Sequence, residues 1–185
     1  TVNKQIESEL MVAISNVVSS GWYILGDEVA NFEKEFAEFT ESKFAVGVGN
    51  GMDALTLTLR AWLVLGRVCK GDDVLVPANT YIASVLSIMD AGLNPVLVDP
   101  DPNTWLMTVE GCATHITRKT RVIMPVHLYG IPCDMSSFQS FAKEHNLLIL
   151  DAAANEAMTN NIEIMKNISH LISTEAVMPI VIEAK

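Results

Sequence analysis

Arg121-Val122-Ile123-Met124-Pro125-Val126 and Leu147-Leu148-Ile149-Leu150 are two short runs rich in Val, Ile and Leu, and the helically spaced segment Asp134 to His145 lies between them. The strand-helix-strand reading of this stretch decides the fold. Two parallel strands must be joined by a crossover, and a helix is its usual form, so these runs are read as neighbours in one parallel sheet. Asp134 is a good helix N-cap, and Asn146 a good stop, because short polar side chains cap first turns and tolerate a left-handed backbone. Upstream the alternation repeats: Phe44 to Val48, Val74 to Val76 and Pro95 to Val98 are strand candidates, and Asp53 to Leu65, Tyr81 to Ala91 and Thr108 to Ile116 have helical spacing. Gly71 and Gly92 punctuate them. The pattern predicts an α/β fold, a mostly parallel sheet with right-handed crossovers and helices on both faces. Two amphipathic helices open the chain, Gln5 to Val18 and Glu28 to Phe39, joined through Gly21-Trp22-Tyr23-Ile24-Leu25-Gly26.

The 185 residues are enough for one domain with a sizeable core, and half of them are apolar. A formal charge of -10 argues against a nucleic-acid binder, which needs a basic face. Cys69, Cys112 and Cys133 are odd in number and widely spaced, with no nearby His pair, so neither a disulfide framework nor a metal site is indicated and a reducing cytoplasm fits. No apolar stretch reaches the length of a membrane span, and the polar opening Thr1-Val2-Asn3-Lys4-Gln5 is unlike a signal peptide.

Ligands of such sheets collect at the carboxyl ends of the strands, and four features fall there. Gly47-Val48-Gly49-Asn50-Gly51-Met52-Asp53 is a glycine-rich turn into a helix, where free amides and the helix dipole favour a phosphate. It has neither the Lys of a P-loop nor the spacing of a dinucleotide fingerprint, and it can also be an ordinary Asn50-capped turn. Pro77-Ala78-Asn79-Thr80-Tyr81 places Tyr81 to stack on a planar ring or to fill the core. His127, in Pro125-Val126-His127-Leu128-Tyr129-Gly130, reads as a site liner, a proton carrier or a hydrogen-bonded core His. Asp151, at the end of a buried strand, needs a cation or a set of donors unless it caps a helix. Each feature has a structural explanation by itself; their convergence on one sheet edge points to a ligand.

The succession Gly21-Trp22-Tyr23-Ile24-Leu25-Gly26, Gly49-Asn50-Gly51-Met52-Asp53-Ala54-Leu55, Val76-Pro77-Ala78-Asn79-Thr80, Pro125-Val126-His127-Leu128-Tyr129-Gly130 and Asp151-Ala152-Ala153 resembles the sugar aminotransferases of the DegT/DnrJ/EryC1/StrS family, over about residues 6 to 153. The resemblance implies an aspartate-aminotransferase-type (fold type I) large domain, incomplete here, with 1–153 as its N-terminal part and 154–185 as a divergent tail. It implies pyridoxal 5'-phosphate as cofactor, its phosphate on the amides of Gly51, Met52 and Asp53, Tyr81 stacked on its ring and Asp151 paired with the protonated ring nitrogen. Asn79 and His127 would line the site. The implied reaction moves an amino group from a glutamate-type donor to a keto group of a nucleotide-linked deoxysugar, as in polysaccharide, O-antigen or antibiotic sugar biosynthesis, in a cytoplasmic homodimer. Met52 stands where many members carry Thr, an aliphatic variant associated with 3-keto sugars, and inward helix packing also accounts for it.

Beyond Asp151 the sequence departs from the family. Ala154 stands where a Gln usually meets the cofactor's ring hydroxyl, and Ala has no group to do so. The family's Schiff-base Lys is expected about thirty residues further on in a Ser-Phe segment that is absent. Lys166 lies in an amphipathic pattern and Lys185 is the last residue, so neither takes the role, and the setting of His170 does not support the His-for-Lys exchange of dehydratase relatives. No catalytic residue is assigned, and the abrupt change predicts a truncated or frame-shifted product, inactive alone, with apolar surface left uncovered. The alternative is a non-catalytic pseudoenzyme or partner subunit that binds pyridoxal phosphate or a sugar nucleotide.

Overall fold

The computed structural model describes residues 4, 7–40, 42–153 and 181–183. Four strands form a wholly parallel sheet: β2 (Asp73–Pro77), β3 (Asn94–Val98), β4 (Thr120–Ile123) and β6 (Leu148–Ile149), in the order β3-β2-β4-β6. The expected strand from Arg121 to Val126 is divided. Its ladder stops at Ile123 and resumes as β5 (Val126–His127), because Pro125 between them has no N–H to donate. β5 pairs in parallel with β7 (Ala152–Ala153), and Ala152 N–H donates to the Pro125 carbonyl at 2.9 Å, so the two ladders continue one another past Leu150 and Asp151. β1 (Val46–Val48) stands apart and pairs with β8 (Val181–Glu183).

Helices α1 (Glu7–Ser20) and α2 (Asp27–Phe39) precede the sheet strands, and α3 (Gly51–Val64), α4 (Ile82–Asp90), α5 (Val109–Ala113) and α6 (Met135–His145) connect them. α3 packs on α4, and α5 on α6. Asp134 caps α6 as expected, its carboxylate accepting from the Ser137 N–H at 3.2 Å, and Asn146 ends it in the left-handed conformation at φ 53°. The helix expected from Thr108 to Ile116 is shorter. Thr108 is its cap, and the Thr114 hydroxyl donates back to the Gly111 carbonyl at 2.8 Å, a local side-chain bond that competes with another helical turn.

The core gathers on the central strands. Val74, Leu75, Val76, Val98, Val122, Ile123 and Met124 are fully buried, with Leu59 and Trp62 of α3, Ile88 of α4 and Phe138 of α6 packed over them. β2 carries the continuous apolar run Val74 to Val76 because a strand covered on both faces has no solvent side to alternate with, whereas β4 has an exposed Arg121 before its buried Val122 and Ile123. α1 is the opposite case: none of its residues is buried, and Leu10, Met11, Val12, Ile14 and Val18 face solvent with Trp22, Tyr23, Ile24 and Leu25 beyond them. Among the described residues, no helix is long and apolar enough to cross a membrane.

Candidate functional site

The strand-to-helix turn at β1 and α3 is built as an N-cap. Asn50 is extended (φ -166°, ψ 170°), its Oδ1 accepts from the Asp53 N–H at 2.9 Å, and its Nδ2 donates to Asp53 Oδ2 at 2.8 Å. The cap therefore occupies one of the three amides singled out in the sequence. No hydrogen bond from the Gly51 or Met52 N–H is formed among the described residues, and a Cβ built on Gly51 would meet nothing within 4 Å. The helix start thus presents two amides that have no acceptor among the described residues at its positive end.

At the carboxyl end of β2 the chain turns through Ala78, whose N–H donates to the Val98 carbonyl at 2.9 Å. Asn79 Nδ2 donates to the Trp105 carbonyl at 3.0 Å, while its Oδ1 is buried with no hydrogen-bond partner among the described residues. Tyr81 is the N-cap residue of α4, and its ring is 69% exposed. This corrects the core-aromatic reading: the cap position aims the ring outward at the sheet edge.

His127 and Asp151 come together. His127 is 1% exposed; its Nδ1 accepts from the Cys133 N–H at 2.9 Å, and its Nε2 lies 3.7 Å from Asp151 Oδ2 without a hydrogen bond. The Asp151 side chain is largely buried, at 14% exposure. It follows β6 and precedes β7, so its backbone is fixed by ladders on both sides. Nearby, burial pushes the Cys133 thiol up to about 12, with the Asp151 carboxylate adding to the effect, and Cys133 Sγ donates to the Val126 carbonyl at 3.3 Å. Burial likewise raises Cys112 to about 12, so both thiols are inert.

The structure thus joins His127 to Asp151 and Asn79 to Trp105, while no contact among the described residues links the Gly51 turn or Tyr81 to Asp151. Sequence reading missed Cys133, whose contribution is a backbone amide that no side-chain motif reveals; the only signal was the Tyr129-Gly130 turn that sends the chain back. Ala154, Lys166, His170 and Lys185 lie outside the described residues. Among the described residues, no cluster of three or more His, Cys, Asp and Glu side chains could hold a metal ion.

A parallel sheet with a glycine-rich helix start, an outward aromatic and a largely buried carboxylate at strand ends is the kind of frame that pyridoxal-phosphate-type transferases use. The chain belongs to the DegT/DnrJ/EryC1/StrS aminotransferase family, whose model matches residues 4–163. It is 46% identical over 153 residues to the dTDP-3-amino-3,6-dideoxy-alpha-D-galactopyranose transaminase of Aneurinibacillus thermoaerophilus, a match covering 83% of this chain and 41% of that protein. To the dTDP-3-amino-3,4,6-trideoxy-alpha-D-glucose transaminase of Streptomyces venezuelae it is 43% identical, covering 82% of this chain and 39% of the relative. Among solved structures, S. venezuelae DesV superposes with a TM-score of 0.75 at 42% identity over 81% of this chain and 39% of that one. NtdA of Bacillus subtilis, solved with bound cofactor PMP, superposes with a TM-score of 0.73 at 28% identity over 80% of this chain and 33% of that one. The chain therefore spans about two fifths of the length of the curated relatives it matches.

Proposed function

We propose that this chain holds pyridoxal 5'-phosphate for the transfer of an amino group from a glutamate-type donor to a keto group of a nucleotide-linked deoxysugar. The observation that carries the reading is Asp151, a largely buried carboxylate at the carboxyl end of the sheet that accepts no hydrogen bond among the described residues. Such a group calls for an N–H cation, which a protonated pyridine nitrogen supplies. The open space before Gly51, with the free amides of Gly51 and Met52, fits a phosphate at the other end of the same cofactor; the Asp53 amide joins them when the Asn50 cap turns aside. Tyr81 offers its exposed face for stacking on the ring, and Asn79 lines the edge beside it.

When bound, pyridoxal phosphate supplies an electron sink for the carbanionic stage of amino transfer. The chain's own part is to anchor, orient and polarise. Asp151 holds the proton on the ring nitrogen, the α3 amides fix the phosphate, and the Tyr81 ring restricts tilt. Two of the relatives are named for sugars carrying the amine at carbon 3, and the aliphatic Met52 agrees with a 3-keto acceptor. The setting proposed is a cytoplasmic homodimer, where Cys69, Cys112 and Cys133 remain thiols.

Residues 152–185 contain no Ser-Phe segment with a Schiff-base Lys, and Ser140-Phe141-Ala142-Lys143 lies upstream within α6, so on this reading the 185 residues by themselves bind the cofactor without turnover. One observation favours a second reading as a binding pseudoenzyme or partner subunit: Ala154 at the position of the ring-hydroxyl Gln. Titration of the chain with pyridoxal 5'-phosphate, followed by absorbance and by borohydride treatment, tests both. Saturable binding that leaves no covalent adduct, and that disappears in Asp151→Ala, supports the proposal. Absence of binding refutes the cofactor reading, and a covalent adduct lost in Lys166→Ala refutes the claim that no Lys here takes the catalytic role.

A further inference from the structure

We propose that His127 is a positioning residue for Asp151: a backbone amide fixes its tautomer, and its Nε2–H then takes one carboxylate oxygen, leaving the other for the cofactor's ring nitrogen. The inference rests on the pyridoxal-phosphate reading for the last of these steps only. It begins from a directional fact. A backbone N–H can donate and cannot accept, so the 2.9 Å bond from Cys133 N–H to His127 Nδ1 requires a lone pair on Nδ1. The proton of the neutral ring is then on Nε2, the atom that faces Asp151.

The loop that delivers this amide is constructed for the purpose. Tyr129 (φ 58°) and Gly130 (φ 75°) both adopt left-handed backbone, and the Ile131 N–H closes the turn on the Leu128 carbonyl at 3.0 Å. The chain is thereby returned so that Cys133 straddles the end of β5, its amide on His127 and its thiol on the Val126 carbonyl at 3.3 Å. A thiol raised to about 12 remains a neutral S–H donor and places no second negative charge beside Asp151.

Nε2 is left as a buried donor with no hydrogen-bond partner among the described residues, 3.7 Å from Asp151 Oδ2. Among the described residues, no other donor is hydrogen-bonded to that carboxylate. Closing the gap to about 2.9 Å needs only a small rotation of the carboxylate, and site hydrogen bonds commonly tighten when the ligand arrives. With Oδ2 held by His127, the plane of the carboxylate is fixed and Oδ1 is presented to the ring nitrogen.

Two substitutions separate positioning from mere support. His127→Asn keeps an acceptor near the place of Nδ1 for the Cys133 amide but has no donor that reaches Asp151. His127→Gln reaches Asp151 with an amide N–H but gives up the Cys133 bond. The expected result with pyridoxal 5'-phosphate is an affinity loss of about tenfold in His127→Asn and under about threefold in His127→Gln, although Gln has the lower Tm. Wild-type affinity in His127→Asn, or equal losses in both, overturns the proposal. The second measurement needs neither cofactor nor variants at 127: two-dimensional 15N–1H NMR of the imidazole should show an Nε2–H tautomer whose proton resonance moves in Asp151→Ala. An Nδ1–H tautomer, or a resonance indifferent to that substitution, overturns it. Failure of the wild type to bind pyridoxal phosphate sinks the cofactor reading, and the NMR result then decides the His127–Asp151 pair alone.

Discussion

The sheet carries a buried carboxylate at each end, and the two are treated in opposite ways. Asp73, at the amino end of β2, receives Asn94 Nδ2 and the Thr117 hydroxyl, both at 2.7 Å, and these bonds tie β2 to β3 and to the segment before β4. Asp151, beyond β6 at the carboxyl end, has among the described residues only the ring nitrogen of His127 at 3.7 Å. The satisfied carboxylate is a clamp, and the other is the receptor of the proposed cofactor reading. In a parallel sheet this polarity is expected, since crossovers bring loops and helix starts to the carboxyl edge and leave the amino edge to structural work.

The comparison breaks most sharply with alanine at both positions. Asp151→Ala should weaken pyridoxal phosphate binding about a hundredfold or more, the loss of a buried charge pair, while the Tm of the cofactor-free chain stays level or rises because an unsatisfied buried carboxylate is gone. Asp73→Ala should do the reverse: urea denaturation should show a loss of about 2–3 kcal/mol, with cofactor affinity unchanged. Equal destabilisation by the two would abolish the distinction between clamp and receptor.

The pH dependence sharpens it further. Burial tends to raise the Asp73 carboxyl, but the bonds from Asn94 and Thr117, helped by the charge of Lys119, hold it below its ordinary 3.8. Its native form therefore binds a proton less readily than its unfolded form. The stabilisation is fully present above the ordinary value and is lost as pH falls through the lowered native value. Acid denaturation of Asp73→Asn should begin from a lower stability at neutral pH and fall less steeply below pH 3.8 than that of the wild type. A wild-type curve with the same acid slope as the variant would refute the clamp.

Much of this polarity was legible in the sequence. Val74 to Val76, and the apolar residues that follow Arg121 in the run from Arg121 to Val126, announced strands because a doubly covered strand has a continuous apolar signature, and Asp134 and Asn146 marked the ends of α6 because capping is local chemistry. Asp151 stood out as a carboxylate with no visible partner. The carboxyl-edge details were harder to read. The division of β4 from β5 depends on a ladder bond that Pro125 cannot make, and the outward ring of Tyr81 on its cap position. The Cys133 amide is a backbone donor, identical in every non-proline residue, so its bond to His127 could be found only by folding the chain.

Smaller effects belong to the rest of the edge. Tyr81→Ala should weaken the cofactor about fivefold, the contribution of one stacked aromatic, without lowering Tm, since a ring 69% exposed supports little of the core. Gly51→Ala is the finest test because its two expected effects differ in sign. A methyl group there meets no atom within 4 Å and the backbone is ordinary helix, so replacing Gly reduces unfolded-state freedom and should raise stability by about 0.5 kcal/mol. On the phosphate reading, the same methyl group would crowd a ligand held at the helix start, so pyridoxal phosphate should bind a few-fold more weakly, and inorganic phosphate should compete less well for the site. A more stable variant with undiminished affinity would mean that the phosphate lies elsewhere. A less stable one would mean that the open space before α3 is filled in the folded protein, and the amino-edge clamp and carboxyl-edge receptor would no longer be so cleanly divided.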